Sequence, residues 1–287
     1  MPMPEGLGII DLMIGPSNLS YLNRALMDLG ARGQWVAHPA EYMFQEVPPE
    51  HAFDPDDPGE ADRLVEAMDK FSIEMGMINF APELGWSVAG IRKYPHRLIP
   101  ALAVNPNRGM DEVRRVARCR EEFGIRAVTC FPAGLYPQVP INDKKFYPIY
   151  AKCVELGLPV FLTTGVPGPR VPFAAQHVEL LDEVCWFFPE LTIVMRHGAE
   201  PWADLAVKLM LKYPNLYYST SAFAPRYYPE AVIKYANTRG RHKVMYAGYY
   251  PLGLSLERSF AELPGVPFAD DVWPDFLRGN AQRVLGL

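Results

Sequence analysis

Eight short apolar runs alternate with longer stretches of helical period from one end of this chain to the other. The runs lie at 8–14, 76–80, 97–104, 125–130, 159–163, 191–197, 216–220 and 243–247. Helical patterns fall at 18–29, 60–75, 111–123, 146–156, 176–188, 202–213, 228–239, 255–263 and 273–284. Runs this uniformly apolar are those of strands covered on both faces, the habit of parallel sheets. Parallel strands need crossover connections, and the intervening helices supply them. Eight such units in 287 residues predict an α/β fold, a (β/α)8 TIM-type barrel. A doubly wound open sheet is the rival. Its dinucleotide-binding form would carry GxGxxG after the first strand, and this chain does not. One domain over residues 1–287 is expected. Residues 38–60 break both periods with His38, Pro39, Pro48, Pro49, Pro55 and Pro58. They are expected to form an insert after the first strand that caps an active site.

Composition narrows the function classes. A hydrophobic content of 49% is enough for a full core, so disorder is excluded as a description of the whole chain. The net charge of −5, with no stripe of Lys or Arg, argues against nucleic acid as a partner. No apolar stretch approaches the ~20 residues needed to span a bilayer. The N-terminus has no basic region followed by an apolar run and a small-residue cleavage site. A soluble cytoplasmic protein is expected, with no membrane partner. Cys119, Cys130, Cys153 and Cys185 form no CxxC pair and sit inside apolar patterns, so buried free thiols are expected.

Several stretches are specific enough to compare with a known family: LIPALAVNP at 98–106, GIRAV at 124–128, PINDKKFYPIYAKCVELGLPVFL at 140–162, and FPELTIVMRHGAEPW at 188–202. YPNLYYSTS at 213–221 and GNAQRVLGL at 279–287 complete the set. In these the chain resembles the amidohydrolase-related family, in the branch of aminocarboxymuconate-semialdehyde decarboxylase and related decarboxylases and hydrolases. The resemblance implies an amidohydrolase-like barrel and also where a metal would be held. The family's first strand ends in Asp-x-His-x-His. Here the segment is Asp11-Leu12-Met13-Ile14-Gly15, so the Asp remains and both histidines are gone. The fifth-strand ligand His is matched by Thr163, and the eighth-strand ligand Asp by Tyr249. The sixth-strand His-Gly survives as His197-Gly198. The resemblance gives that His an acid–base role beside the metal.

The replacements are poor ligands. A thioether matches a hard or borderline ion badly. Gly15 offers no side chain, Thr163 only a neutral hydroxyl, and Tyr249 would have to ionise from a pKa near 10. No metal and no other cofactor is therefore expected. His38 and His51 would have to converge in space to rebuild a site.

Two functional classes follow. The first is a metal-independent amidohydrolase-like enzyme, a hydrolase or a C–C lyase such as a decarboxylase. It would act on a small carboxylated or aromatic organic molecule, with His197 as acid or base and Tyr249 beside it. Met13, Gly15 and Thr163 would then line the substrate's space, with Trp202 at the pocket edge. Arg170 and Arg226 follow the fifth and seventh strands, on the side where barrel enzymes carry their sites, and could hold a carboxylate. The second class is a catalytically inactive barrel, a ligand binder or a partner subunit of an active relative. In that case His197 is structural and Tyr249 fills the space the metal left. Asp11, without its histidines, reads as a structural acceptor. By analogy with relatives a homodimer is expected, or a complex with an active paralogue.

Overall fold

The computed structural model describes residues 3, 4, 6–16, 42, 54 and 56–287. Eight strands follow one another around a single sheet: β1 (Ile9–Asp11), β2 (Ile73–Phe80), β3 (Leu98–Ala103), β4 (Ala127–Cys130), β5 (Val160–Thr163), β6 (Ile193–Arg196), β7 (Leu216–Ser219) and β8 (Val244–Met245). Every neighbouring pair in that order is parallel. The ring closes through the Leu12 N–H, which donates to the Tyr246 carbonyl at 3.4 Å. The expected (β/α)8 barrel is the fold.

Strand side chains alternate between two faces, and the barrel sorts them accordingly. Ile10, Leu12, Ile99, Phe161, Val194 and Met245 fill the interior. Their sequence neighbours, such as Ile9, Leu98, Leu162, Met195 and Tyr246, point outward into the larger core beneath the helices. Those helices are α1 (Gly59–Asp69), α2 (Gly85–Lys93), α3 (Met110–Phe123), α4 (Tyr147–Leu156), α5 (Leu180–Phe187), α6 (Ala203–Lys212), α7 (Glu230–Ala236), α8 (Leu256–Glu262) and α9 (Asn280–Leu285). α4 ends at Gly157 in the left-handed region, φ 61°, as its sequence predicts.

Two elements differ from expectation. The helical pattern of 60–75 stops at Asp69, and β2 begins at Ile73. Ser72, at φ 56°, reverses the chain between them. The apolar residues at 73–75 therefore continue a strand rather than a helix. α2 was not foreseen, because Gly85 and Gly90 weaken its helical signal and Pro82 and Pro95 bracket it. The pattern at 18–29, most of the insert at 38–60, and both His38 and His51 lie outside the described residues. All four cysteines are buried and free. No described helix is long and apolar enough to cross a membrane.

Candidate functional site

The site is built where β1, β5, β6 and β8 end. Phe161 and Val194 face the barrel interior, so two residues on, Thr163 and Arg196 return to the same face at the C-terminal mouth. They are paired across the β5–β6 ladder, and both are buried.

Arg196 is the unexpected member. Its side chain is 5% exposed, and its Nη2 donates to the sulfur of Met13 at 2.7 Å. Its Nε is buried with no partner. Among the described residues no carboxylate pairs with this guanidinium. Burial pushes its pKa down to about 10, against the opposing pull of Tyr249 and Cys130. It is therefore still charged at neutral pH. Among the described residues a thioether is the one hydrogen-bond acceptor of this buried cation, a costly arrangement that a fold keeps where something else compensates it.

His197 follows directly, at φ 60°. Gly198 and Ala199 are also in the left-handed region, at 85° and 59°. The tight turn is fixed by the His197 N–H donating to Ser221 Oγ at 3.1 Å and by the Tyr218 hydroxyl donating to the Gly198 carbonyl at 2.8 Å. His197 keeps part of its surface open, but Nδ1 is shut away with no partner. Burial, reinforced by the neighbouring Arg196 charge, pushes the imidazole from 6.5 down to about 3; a backbone hydrogen bond at Ser221 opposes them. The ring is neutral at neutral pH and meets the ring of Tyr249 edge to face. Burial pushes the Tyr249 phenol up to about 12, so it keeps its proton.

Gly15 closes the near side. At φ 112° it adopts a conformation that L side chains avoid, and its N–H donates to the Tyr250 carbonyl at 2.9 Å. A Cβ there would lie 3.2 to 3.5 Å from Leu64, Ile78 and Trp86. Met13, Gly15, Asn79, Arg196, Tyr249 and Tyr250 line a small pocket. Its volume is about 10 Å³, room for about one water. Beneath it Asp11 is fully buried. Its Oδ1 accepts from the Met13 N–H at 2.9 Å and the Gly248 N–H at 2.8 Å, while Oδ2 has no partner.

The other sequence-predicted residues fall elsewhere. Trp202, partly buried, packs its ring on His177 and Phe173, with centroids 3.9 and 5.3 Å away. Arg170 is exposed and lies over the ring of Tyr42 at 4.3 Å. Arg226 is exposed and ion-paired with Glu262. The structure thus places Met13, Gly15, Tyr249 and the added Arg196 in the pocket lining; His197 lies outside it against Tyr249, Thr163 outside it beside Arg196 on the ladder, and the two loop arginines and Trp202 on other partners.

These residues do not fit a divalent ion. The Met13 sulfur already accepts from a guanidinium whose charge would repel a second cation. Thr163 is a neutral hydroxyl and Tyr249 a protonated phenol. Among the described residues no three His, Cys, Asp or Glu side chains group so as to hold one.

The shape of the whole molecule is shared with solved barrels. An uncharacterised TIM-barrel protein from Bordetella bronchiseptica superposes with a TM-score of 0.70 at 23% identity, covering 97% of this chain and 98% of its own. The 5-carboxyvanillate decarboxylase of Sphingomonas paucimobilis gives a TM-score of 0.67 at 15% identity, over 98% and 100% of the two chains. That of Novosphingobium aromaticivorans, solved with manganese and 3-methoxy-4-hydroxy-5-nitrobenzoic acid, gives 0.69 at 17% identity, over 98% of each. No curated protein matches the chain. The amidohydrolase family model matches residues 83–287, most of the barrel including the turn at His197. The chain belongs to the amidohydrolase family.

Proposed function

We propose that this protein is a metal-independent amidohydrolase-like enzyme, a hydrolase or C–C lyase acting on a small carboxylated or aromatic organic molecule. The observation that carries the reading is the grouping of three polar side chains in fixed protonation states at the barrel mouth. Arg196 is a buried cation, Tyr249 a protonated phenol, and His197 a neutral imidazole touching that phenol. Fixed charge and oriented donors are what a reaction with developing negative charge requires. The imidazole accepts a proton, the phenol donates one, and the guanidinium holds the charge that forms between them. Buried and beside a cation the neutral imidazole is a weak base, and a negatively charged substrate on Arg196 would lift the smaller of those two effects. The small aromatic acid bound by the Novosphingobium decarboxylase supports the substrate class. In this reading residues 1–287 are one barrel domain, working in the cytoplasm as a homodimer or beside an active paralogue.

One observation favours the second reading, an inactive barrel that binds a ligand or supports a relative. Met13 and Tyr249 leave only about 10 Å³ between them.

The test joins metal content to turnover. Protein purified without chelator or metal resin is expected to hold less than about a tenth of an equivalent of Zn, Mn, Fe or Co. It is then assayed on a panel of carboxylated phenols and aromatic lactones, before and after dialysis against a chelator. Turnover that survives dialysis and is lost in His197→Asn supports the enzyme. About one equivalent of tightly held metal would overturn metal independence. No turnover across the panel favours the second reading.

A further inference from the structure

Arg196 carries a feature that the acid–base reading does not use. Nε and Nη2 form one edge of the planar guanidinium, the edge whose spacing matches the two oxygens of a carboxylate. In this chain that edge meets no oxygen among the described residues. Nη2 has the Met13 sulfur at 2.7 Å, and Nε has nothing. A thioether is a weak acceptor and carries no charge. The side chain that provides it is unbranched with three rotatable bonds, so it can swing aside at small cost. Both Met13 and Arg196 line the pocket. The backbone that carries the guanidinium is fixed: Arg196 pairs with Thr163 across the β5–β6 ladder, and its carbonyl accepts from the Thr164 N–H at 3.1 Å and Thr164 Oγ1 at 3.2 Å.

We infer that the Nε–Nη2 edge of Arg196 is a carboxylate-recognition site, occupied at rest by the Met13 thioether and taken over by the carboxylate of a small organic acid. This names the group that selects the ligand and so rests on the proposed substrate class, but it does not require turnover. At rest the pocket admits about one water, so entry of a carboxylate is coupled to displacement of Met13. Met13 is then a plug that yields to an anion and not to a neutral molecule. Loss of the carboxylate contact removes charge-assisted hydrogen bonds, the strongest kind the pocket can offer.

The experiment is a methyl NMR titration of protein carrying 13C-methyl methionine, with sodium acetate as the probe. Acetamide, of the same shape and no charge, is the control at matched ionic strength. The Met13 signal is assigned with Met13→Leu, and Met77, which also lines the pocket, serves as a second reporter. Acetate is expected to shift Met13 saturably, and acetamide to leave it in place. Arg196→Gln is expected to weaken acetate binding about 10–100-fold. Met13→Glu sets a tethered carboxylate where the sulfur was. It is expected to raise Tm and to abolish the acetate response of Met77. Equal responses to acetate and acetamide, no response to either, or unchanged acetate binding in Arg196→Gln would overturn the inference. If Arg196→Gln does not fold, an undiminished acetate response in Met13→Glu overturns it instead. Acetate binding at Arg196 without turnover keeps the site and overturns only the enzyme reading. Turnover with Arg196-independent binding does the reverse.

Discussion

The imidazole of His197 meets the phenol ring of Tyr249 at a centroid separation of 5.4 Å and an interplanar angle of 84°. That contact joins the end of β6 to the end of β8 and sets the imidazole against a phenol. Its backbone, at φ 60°, is one a residue other than glycine adopts at a cost of about 1–3 kcal/mol. Asn tolerates this region. His197→Asn should therefore keep Tm close to wild type while lowering turnover by about 10²–10⁴. A variant that retained full turnover would remove His197 from the chemistry.

The depressed imidazole pKa is measurable directly. The folded value, about 3, lies below the unfolded 6.5, so the unfolded chain binds more protons between them. The His197 contribution to stability is present above about pH 6.5 and is lost as the pH falls through that window. In 15N NMR the His197 ring should stay neutral at pH 5. A His197 midpoint near 6.5 would show that the ring is neither buried nor felt by Arg196.

Asp11 shifts the other way. Burial pushes it from 3.8 to about 7, against the hydrogen bonds from Gly248 and Met13. Its folded pKa exceeds its unfolded one, so the folded chain holds an extra proton within that window. Wild-type stability falls there as the pH rises. Asp11→Asn keeps an acceptor for both backbone N–H groups and removes the ionisation. Denaturation at about pH 4.5 and about pH 8 should show the variant gaining on wild type by roughly 1–4 kcal/mol. A difference that stayed constant across the window would contradict the raised pKa.

Gly198 should tolerate no side chain. It sits at φ 85°, and a Cβ would lie 2.3 Å from the Phe223 ring. Gly198→Ala is expected to cost about 1–3 kcal/mol, read as a lower Tm, and to disturb His197 through the shared turn. An unchanged Tm would mean that the turn is free to re-form.

Buried thiols should be inert. Burial pushes Cys153 and Cys185 up to about 12 and Cys130 further still. Native protein at pH 8 should leave a thiol reagent unreacted, and all four cysteines should react after denaturation in guanidinium chloride. Fast labelling of the native chain would place at least one of them at the surface.

The barrel was legible because each strand's apolar run is long enough to mark both faces as covered. The site was legible only in part. His197 stood out at the end of a specific motif, and Tyr249 as the match to a missing ligand. Arg196 did not, since it was read as one more residue of a strand running to His197. The signal was there: Val194 and Arg196 are two apart, so an inward Val194 puts the arginine inward as well. Arg170 and Arg226 looked better placed in their loops, yet position alone does not reveal a partner on a distant element. Glu262 lies 36 residues from Arg226 and Tyr42 lies 128 before Arg170; neither pairing leaves a trace in local sequence. The end of α1 was misplaced because residues 70–75 carry apolar side chains at spacings that suit either period.

The ring is closed by its two most distant parts. Asp11 receives a hydrogen bond from Gly248 across 237 residues, and Gly8 receives one from Arg278 across 270. Neither can form until nearly the whole chain has been synthesised. An emerging polypeptide can pair β1 with β2 and each later strand with its predecessor, but both edges of that growing sheet stay open. Joining them brings Gly248 to Asp11, which also accepts from the Met13 N–H. The pocket at the mouth is thus complete only when the two ends of the sheet meet, since Met13 and Gly15 line it from one and Tyr249 and Tyr250 from the other. A fragment that stops short of Gly248 lacks both the N–H that Asp11 accepts from and the phenol that faces His197.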